Sequence, residues 1–257
     1  MKYFLTILKA IFSIYGFVVF LLFMLIVFPI AVFLSFFGRI RGGNMIYKLC
    51  HWWTDCVTLL WGIFHKNLYK SPHDRNKQYV FIFNHTSYID IPFLLKAIRN
   101  QHIRVLGKAE MAKIPIFGFM YRKAVVLVER DNAAARAKSV LQLKAIIKKG
   151  ISIVIFPEGT FNMTNRPLKD FYDGAFRIAI ETQTPIKPVV LLDAYDRLNY
   201  KSIFSLTPGR SRAVYLEEIP VDGLTLNDVT ILKAKAYKLM EEKLIEYKAN
   251  WITPSAP

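Results

Sequence analysis

The hydrophobic pattern divides the chain into two unlike parts. From Ala10 to Gly38 there are 29 residues without a charge, and the run Phe17 to Phe37 is broken only by Pro29 and Ser35. As a helix this stretch is about 43 Å long, against a bilayer core of roughly 30 Å. The surplus leaves two arrangements open: one tilted span, or a bent pair of helices with its turn near Pro29, dipping into one leaflet. The stretch is too long for the apolar region of a cleaved signal, and no small-x-small cleavage pattern follows it. A second apolar stretch, Cys50 to Phe64, carries Trp52, Trp53 and Trp61 among His51, Asp55 and Thr58. It is too short and polar to span. Its tryptophans suit the headgroup level, which predicts an interfacial helix at about 50–64, with a core helix as the alternative.

After Lys66 the pattern becomes short apolar runs alternating with amphipathic stretches. Tyr79–Phe83, Lys123–Val128, Ile151–Phe156 and Pro188–Leu192 read as strands buried on both faces, and Ala213–Leu216 as a weaker one. Between them Asn132–Lys149 sets Val140, Leu143, Ile146 and Ile147 on one helical face, with Gly150 where a helix ends. Asn227 can cap a last helix in which Leu232, Ala236, Leu239 and Leu244 recur at helical spacing. This alternation predicts the α/β class: a mixed, largely parallel sheet flanked by helices, preceded by N-terminal membrane helices. Residues 1–65 are then a membrane segment and residues 66–257 one domain facing the cytoplasm.

Composition narrows the partner. The chain has 257 residues with 35 Lys+Arg against 19 Asp+Glu, a formal charge of +16. Such a surplus calls for an anionic partner, and a hydrophobic content of 53% points to lipid rather than nucleic acid, for which no motif is present. Lys2 and Lys9 precede the apolar stretch, and Arg39, Arg41 and Lys48 follow it, which favours a cytoplasmic location for what comes after. Cys50 and Cys56 fit neither a redox motif nor a zinc site and read as buried apolar groups in a reducing compartment. The histidines His51, His65, His73, His85 and His102 form no ligand set with carboxylates, so no metal is implied.

Two strand ends carry candidate chemistry. Asn84-His85-Thr86-Ser87-Tyr88-Ile89-Asp90 follows the first buried run. If His85 ends the strand and Ser87 caps a helix, Asp90 falls at the third helical position and can reach back to the imidazole. It would then fix the ring's tautomer and stabilise the imidazolium. Ser87-x-x-Asp90 is equally a capping pattern that needs no chemistry, and from this motif alone both readings stand. Phe156-Pro157-Glu158-Gly159-Thr160 follows another buried strand, in a tight turn that thrusts Glu158 outward. Both ends would open on the same sheet edge.

These motifs resemble the His-x4-Asp and Pro-Glu-Gly boxes of the glycerophospholipid acyltransferase superfamily. The likeness is greatest to bacterial 1-acylglycerol-3-phosphate (lysophosphatidic acid) acyltransferases. It extends through Lys108 to Gly118, Val125 to Arg130 (VVLVER) and Thr184 to Val190, covering roughly residues 75–195. The resemblance implies an O-acyltransferase. His85 would be its base, Asp90 the residue that orients it, and Arg130, Glu158, Gly159, Thr160 and Lys108 the acceptor site. The implied reaction moves a fatty acyl group from acyl-CoA or acyl-carrier protein to the 2-hydroxyl of 1-acylglycerol-3-phosphate, giving phosphatidic acid. No cofactor is implied. The implied partners are membrane lipids, the lysophospholipid acceptor and the thioester donor, at the cytoplasmic face of a cytoplasmic or inner membrane. Glycerol-3-phosphate or another lysophospholipid as acceptor, and a non-catalytic protein that binds anionic lipid, are the alternatives. One departure stands out: where the family pattern continues with arginine and serine, this chain has Phe161 and Asn162, and Arg166 and Lys169 are the nearest following cations.

Overall fold

The structure, a computed structural model, describes residues 2–128 and 133–252. Its strands are β1 (Ile63–Tyr69), β2 (Val80–Phe83), β3 (Ile103–Lys108), β4 (Val125–Val128), β5 (Ser152–Ile155), β6 (Ile186–Leu191) and β7 (Gly209–Tyr215). Its helices are α1 (Lys2–Ser35), α2 (Gly43–Leu60), α3 (Asp90–Ala97), α4 (Phe117–Ala124), α5 (Ala133–Ile147), α6 (Gly174–Thr182), α7 (Ala194–Arg197) and α8 (Val229–Glu246). The strands form one sheet in the order β1-β7-β6-β2-β5-β3-β4. β6, β2, β5, β3 and β4 run parallel, while β7 is antiparallel to β6 and carries β1 parallel to itself. The sheet is therefore mixed and largely parallel, with apolar side chains on both faces. Ile82, Ile153, Val190 and Val214 pack on one face with Leu143, Phe176 and Leu232 of α5, α6 and α8. Phe81, Phe83, Val154 and Val189 pack on the other with Val19, Val57 and Phe93 of α1, α2 and α3.

Of the two arrangements open to the charge-free stretch, the structure shows one continuous helix with no turn at Pro29. α1 runs through that proline for 34 residues. The chain reverses beyond Ser35, where Gly38 takes a φ of +81° and a π-helical turn spans Gly38–Gly42. A Cβ at Gly42 would lie 2.4 Å from the Leu34 carbonyl oxygen, so the close return requires glycine there. α2 then packs back along α1: Trp61 Nε1 donates to the Gly16 carbonyl at 3.0 Å, and Phe20 meets Trp53 edge-on at 5.0 Å.

The tryptophans predicted for the headgroup level thus serve largely as helix–helix contacts. α2 is wedged between α1 and the sheet layer through Ile46, Tyr47 and Val57. Leu60 ends it, and Ile63 already belongs to β1, so the sheet takes in residues that hydrophobicity alone had assigned to the membrane segment. The opposite side of α1 is left bare, with Phe4, Ile7, Ile11, Phe17, Ile26 and Phe33 exposed. Its residues Phe4–Ser35 are long and apolar enough to cross a membrane, the most apolar 18-residue stretch having a mean hydropathy of 3.2.

Other boundaries moved for local reasons. Lys123 and Ala124 close α4 instead of opening β4. β3 is a strand that periodicity missed, because Arg104, Gly107 and Lys108 interrupt its apolar pattern. Gly150 ends the helical stretch at a φ of +79°, as expected of a glycine stop. Asn227 does not cap the last helix but lies in a 3-10 turn, Leu226–Asp228, that leads into α8 and is capped by Thr225: Thr225 Oγ1 accepts the Asn227 N–H, and the Asp228 carboxylate accepts the Thr225 N–H.

Candidate active site

The parallel topology brings the carboxyl ends of β2, β5, β3 and β4 to one sheet edge, where α/β folds collect ligands. After Phe83 the Asn84 side chain takes over from the ladder. Its amide nitrogen donates to the Leu191 carbonyl at 3.0 Å, and its amide oxygen accepts the Leu191 N–H at 2.7 Å. Asn84 is fully buried, so these bonds hold β2 to β6 while the backbone turns away and His85 projects.

Asp90 does two jobs that the sequence presented as alternatives. Its Oδ2 accepts from His85 Nδ1 at 2.7 Å and from the backbone N–H groups of Thr86 and Ser87, both at 2.8 Å. It therefore closes the turn like a capping residue and also fixes the imidazole. Because the carboxylate only accepts, Nδ1 carries the hydrogen and Nε2 keeps the lone pair. Ser87 does not cap the helix as expected. Its hydroxyl donates to the Leu198 carbonyl and accepts the Ile89 N–H, and α3 begins at Asp90 itself. Asp90 reaches the ring from the first helical position rather than the third, because the turn from 85 to 89 folds over its carboxylate.

Glu158 is not thrust outward. It is fully buried; its Oε1 accepts the His85 N–H and its Oε2 the Lys169 N–H, each at 2.8 Å. Burial pushes its carboxyl up to about 8, against the lowering pull of these two N–H bonds. The same loop grips His85 from its other side, since the Asn162 N–H donates to the His85 carbonyl at 2.6 Å. Both polar groups of the histidine backbone are thus held by the Pro-Glu-Gly turn. Gly159 makes that turn with a φ of +73°, and Thr160 Oγ1 accepts from Lys169 Nζ at 3.0 Å.

The imidazole sits among aromatic rings. Phe156 stacks on it at 4.3 Å and Phe161 meets it edge-on at 4.5 Å, with Tyr88 edge-on to Phe161 at 5.1 Å. The His85 side chain is 20% exposed, so one end of a mostly dry ring faces outward. A lone-pair nitrogen backed by a buried carboxylate and shielded from water is the arrangement of a general base toward a hydroxyl.

Lys108 ends β3 on the same edge and is exposed. Arg130 lies outside the described residues, two positions after β4 ends at Val128. The sequence reading missed the parts played by Asn84, Phe156 and Asn162. Their signal was faint: an amide that replaces a ladder, a ring and a backbone donor carry no mark of chemistry until the two motifs meet.

Comparison with known proteins places this site in context. The family model described as Acyltransferase matches residues 63–192, just over half of the chain, from the first residue of β1 to just past β6. A 1-acyl-sn-glycerol-3-phosphate acyltransferase of Cocos nucifera is 32% identical over 157 residues, covering 60% of this chain and 49% of that protein. The human 1-acyl-sn-glycerol-3-phosphate acyltransferase beta is 29% identical over 162 residues, covering 63% and 58%. The 1-acyl-sn-glycerol-3-phosphate acyltransferase of Haemophilus influenzae is 29% identical over 182 residues, covering 69% and 74%. The chain thus spans about half the length of the first two relatives. The crystal structure of the 1-acyl-sn-glycerophosphate (LPA) acyltransferase PlsC from Thermotoga maritima shares the fold, with a TM-score of 0.72 at 20% identity over 98% of this chain and 100% of that one. With both motifs inside the matched region, the chain belongs to the Acyltransferase family.

Proposed function

We propose that the protein is a membrane-associated O-acyltransferase that moves a fatty acyl group from a thioester to the 2-hydroxyl of 1-acylglycerol-3-phosphate, giving phosphatidic acid. The observation that carries this reading is the joining of the two motifs around His85, with Asp90 on its ring and Glu158 and Asn162 on its backbone. The names of the relatives support the acceptor.

In this mechanism His85 Nε2 takes the proton of the acceptor hydroxyl as the oxygen attacks the thioester carbonyl. The tetrahedral intermediate collapses, the carbon–sulfur bond breaks, and the imidazolium returns its proton to the departing thiolate. Asp90 stabilises the imidazolium between these steps. Such base catalysis is worth about 10²- to 10⁴-fold. Arg130 and Lys108 are assigned to the acceptor phosphate, and Gly159 and Thr160 to the wall beside it. Glu158, expected in the acceptor site, is assigned instead to positioning His85, because both its oxygens already hold backbone N–H groups.

Acyl-CoA and acyl-carrier protein both remain donors in this reading. The bare face of α1 supports membrane association, and the cations Arg39, Arg41 and Lys48 behind it favour the cytoplasmic face of a cytoplasmic or inner membrane. The test is transfer from radiolabelled acyl-CoA, and in parallel from acyl-carrier protein, to 1-acylglycerol-3-phosphate in liposomes, wild type beside His85→Ala. Transfer by the wild type and its loss in a folded variant is the expected result. Equal rates would remove His85 from the chemistry.

A further inference from the structure

A phosphomonoester acceptor needs a cation beside it. Several of the cations near the Pro-Glu-Gly turn are already engaged. Arg166 pairs with Asp170 at 2.9 Å, Lys233 with Asp173 at 2.5 Å, and Lys201 lies over the Tyr195 ring. Position 161 holds a phenyl ring against the imidazole.

Lys169 differs from all of these. Its backbone N–H is bound by Glu158 Oε2, whose sister oxygen holds the backbone of His85. One carboxylate therefore fixes the base and this lysine together. The side chain returns to the turn, where Nζ donates to Thr160 Oγ1 at 3.0 Å. That partner is neutral and uses one of three N–H bonds. Among the described residues no carboxylate lies within ion-pair distance of this half-buried ammonium.

We propose that Lys169 is a specificity-determining residue: its ammonium, seated on Thr160, binds the phosphate of the acceptor and selects a phosphomonoester over a neutral glycerol headgroup. The proposal rests on the acceptor reading given above. Lys108 at the end of β3 reaches the same edge from a strand farther along the sheet, whereas Lys169 is tied through Glu158 to the turn that carries the base. A lysine serves here because its stem can leave the buried backbone anchor and set a compact charge on the hydroxyl.

The test compares the full-length wild type with Lys169→Met and Lys169→Arg, using 1-acylglycerol-3-phosphate and 1-monoacylglycerol as acceptors. Methionine keeps the stem and the backbone N–H, so the Glu158 turn is retained. The expected result for Lys169→Met is a KM for the phosphorylated acceptor raised roughly tenfold to a hundredfold, the loss of one charge-assisted bond. Its kcat, its unfolding temperature and its transfer to monoacylglycerol should stay at wild-type values, and Lys169→Arg should recover most of the affinity. A Lys169→Met KM within about twofold of wild type overturns the proposal, as does an equal loss with both acceptors, which would mark a structural role. A wild type that leaves 1-acylglycerol-3-phosphate unacylated would overturn the acceptor reading itself, and this proposal with it.

Discussion

Asp90→Asn keeps the shape of a side chain at the centre of the site and removes its charge. Oδ2 of this fully buried residue gathers three donors: His85 Nδ1 and the Thr86 and Ser87 N–H groups. In the variant the amide oxygen must take that place, because an NH2 there would face three hydrogens. The NH2 then lands where Oδ1 lies, a buried atom with no partner among the described residues. An unsatisfied buried donor costs about 1–3 kcal/mol, so the variant should fold with reduced stability.

The catalytic loss is larger. Unit charges about 4 Å apart attract by about 4 kcal/mol at an effective dielectric constant of about 20. Each 1.36 kcal/mol is about tenfold in rate, so withdrawing the carboxylate from the imidazolium is worth up to about 10³-fold. The ring's partial exposure screens some of this, and a fall in kcat of about 10²- to 10³-fold is expected. The acceptor KM should barely move, since Asp90 stabilises a charge that exists only after proton transfer. Steady-state acyl transfer at saturating donor, beside denaturant unfolding of the same preparations, measures both quantities. A folded variant with kcat within tenfold of wild type would refute the reasoning and leave Asp90 as a turn-closing residue only.

Three further expectations follow from the same geometry. Glu158 has a folded value near 8 against an ordinary 4.5, so the stability it contributes is complete below 4.5 and is lost as pH rises through 8. Glu158→Gln cannot titrate, and its unfolding temperature should fall less than that of wild type between pH 5 and 9; parallel curves would contradict this. Asn84→Ala leaves the Leu191 N–H and carbonyl without their side-chain partner and should cost about 2–4 kcal/mol in chemical denaturation, with activity lost as His85 shifts; a cost below about 0.5 kcal/mol would refute it. Gly118→Ala puts a Cβ 2.3 Å from the Ala112 carbonyl oxygen, a backbone atom, and should cost about 1–3 kcal/mol; an unchanged unfolding midpoint would mean that the 112–118 backbone is slack.

The class of fold was readable because buried parallel strands are apolar on both faces. Runs such as Tyr79–Phe83 and Ile151–Phe156 therefore stand out without any knowledge of their partners. The membrane segment was readable for a similar reason, since 29 uncharged residues have few other uses. Strands β1 and β3 were hidden because His65, Lys66, Arg104 and Lys108 break their patterns, and only pairing with β7, β5 and β4 makes them strands. The sequence left open a turn at Pro29, but a long apolar helix tolerates the missing N–H of that proline, and the turn to the second helix comes only after Ser35. Backbone contact at Gly42, invisible in composition, set it instead.

By itself, then, the sequence determined the two strand-end motifs, the lone base and the carboxylate five residues away. Local spacing limits what those residues can reach. Only the tertiary structure decided what Glu158 and Lys169 do. They stand 73 and 84 residues from His85, and adjacency of β2 and β5 brings them to it. A carboxyl that reads as solvent-facing in a Pro-Glu-Gly turn becomes an internal clamp once the turn after β2 and the loop before α6 bring the His85 and Lys169 N–H groups to it, because a buried polar group is tolerated only where its partners are already in place.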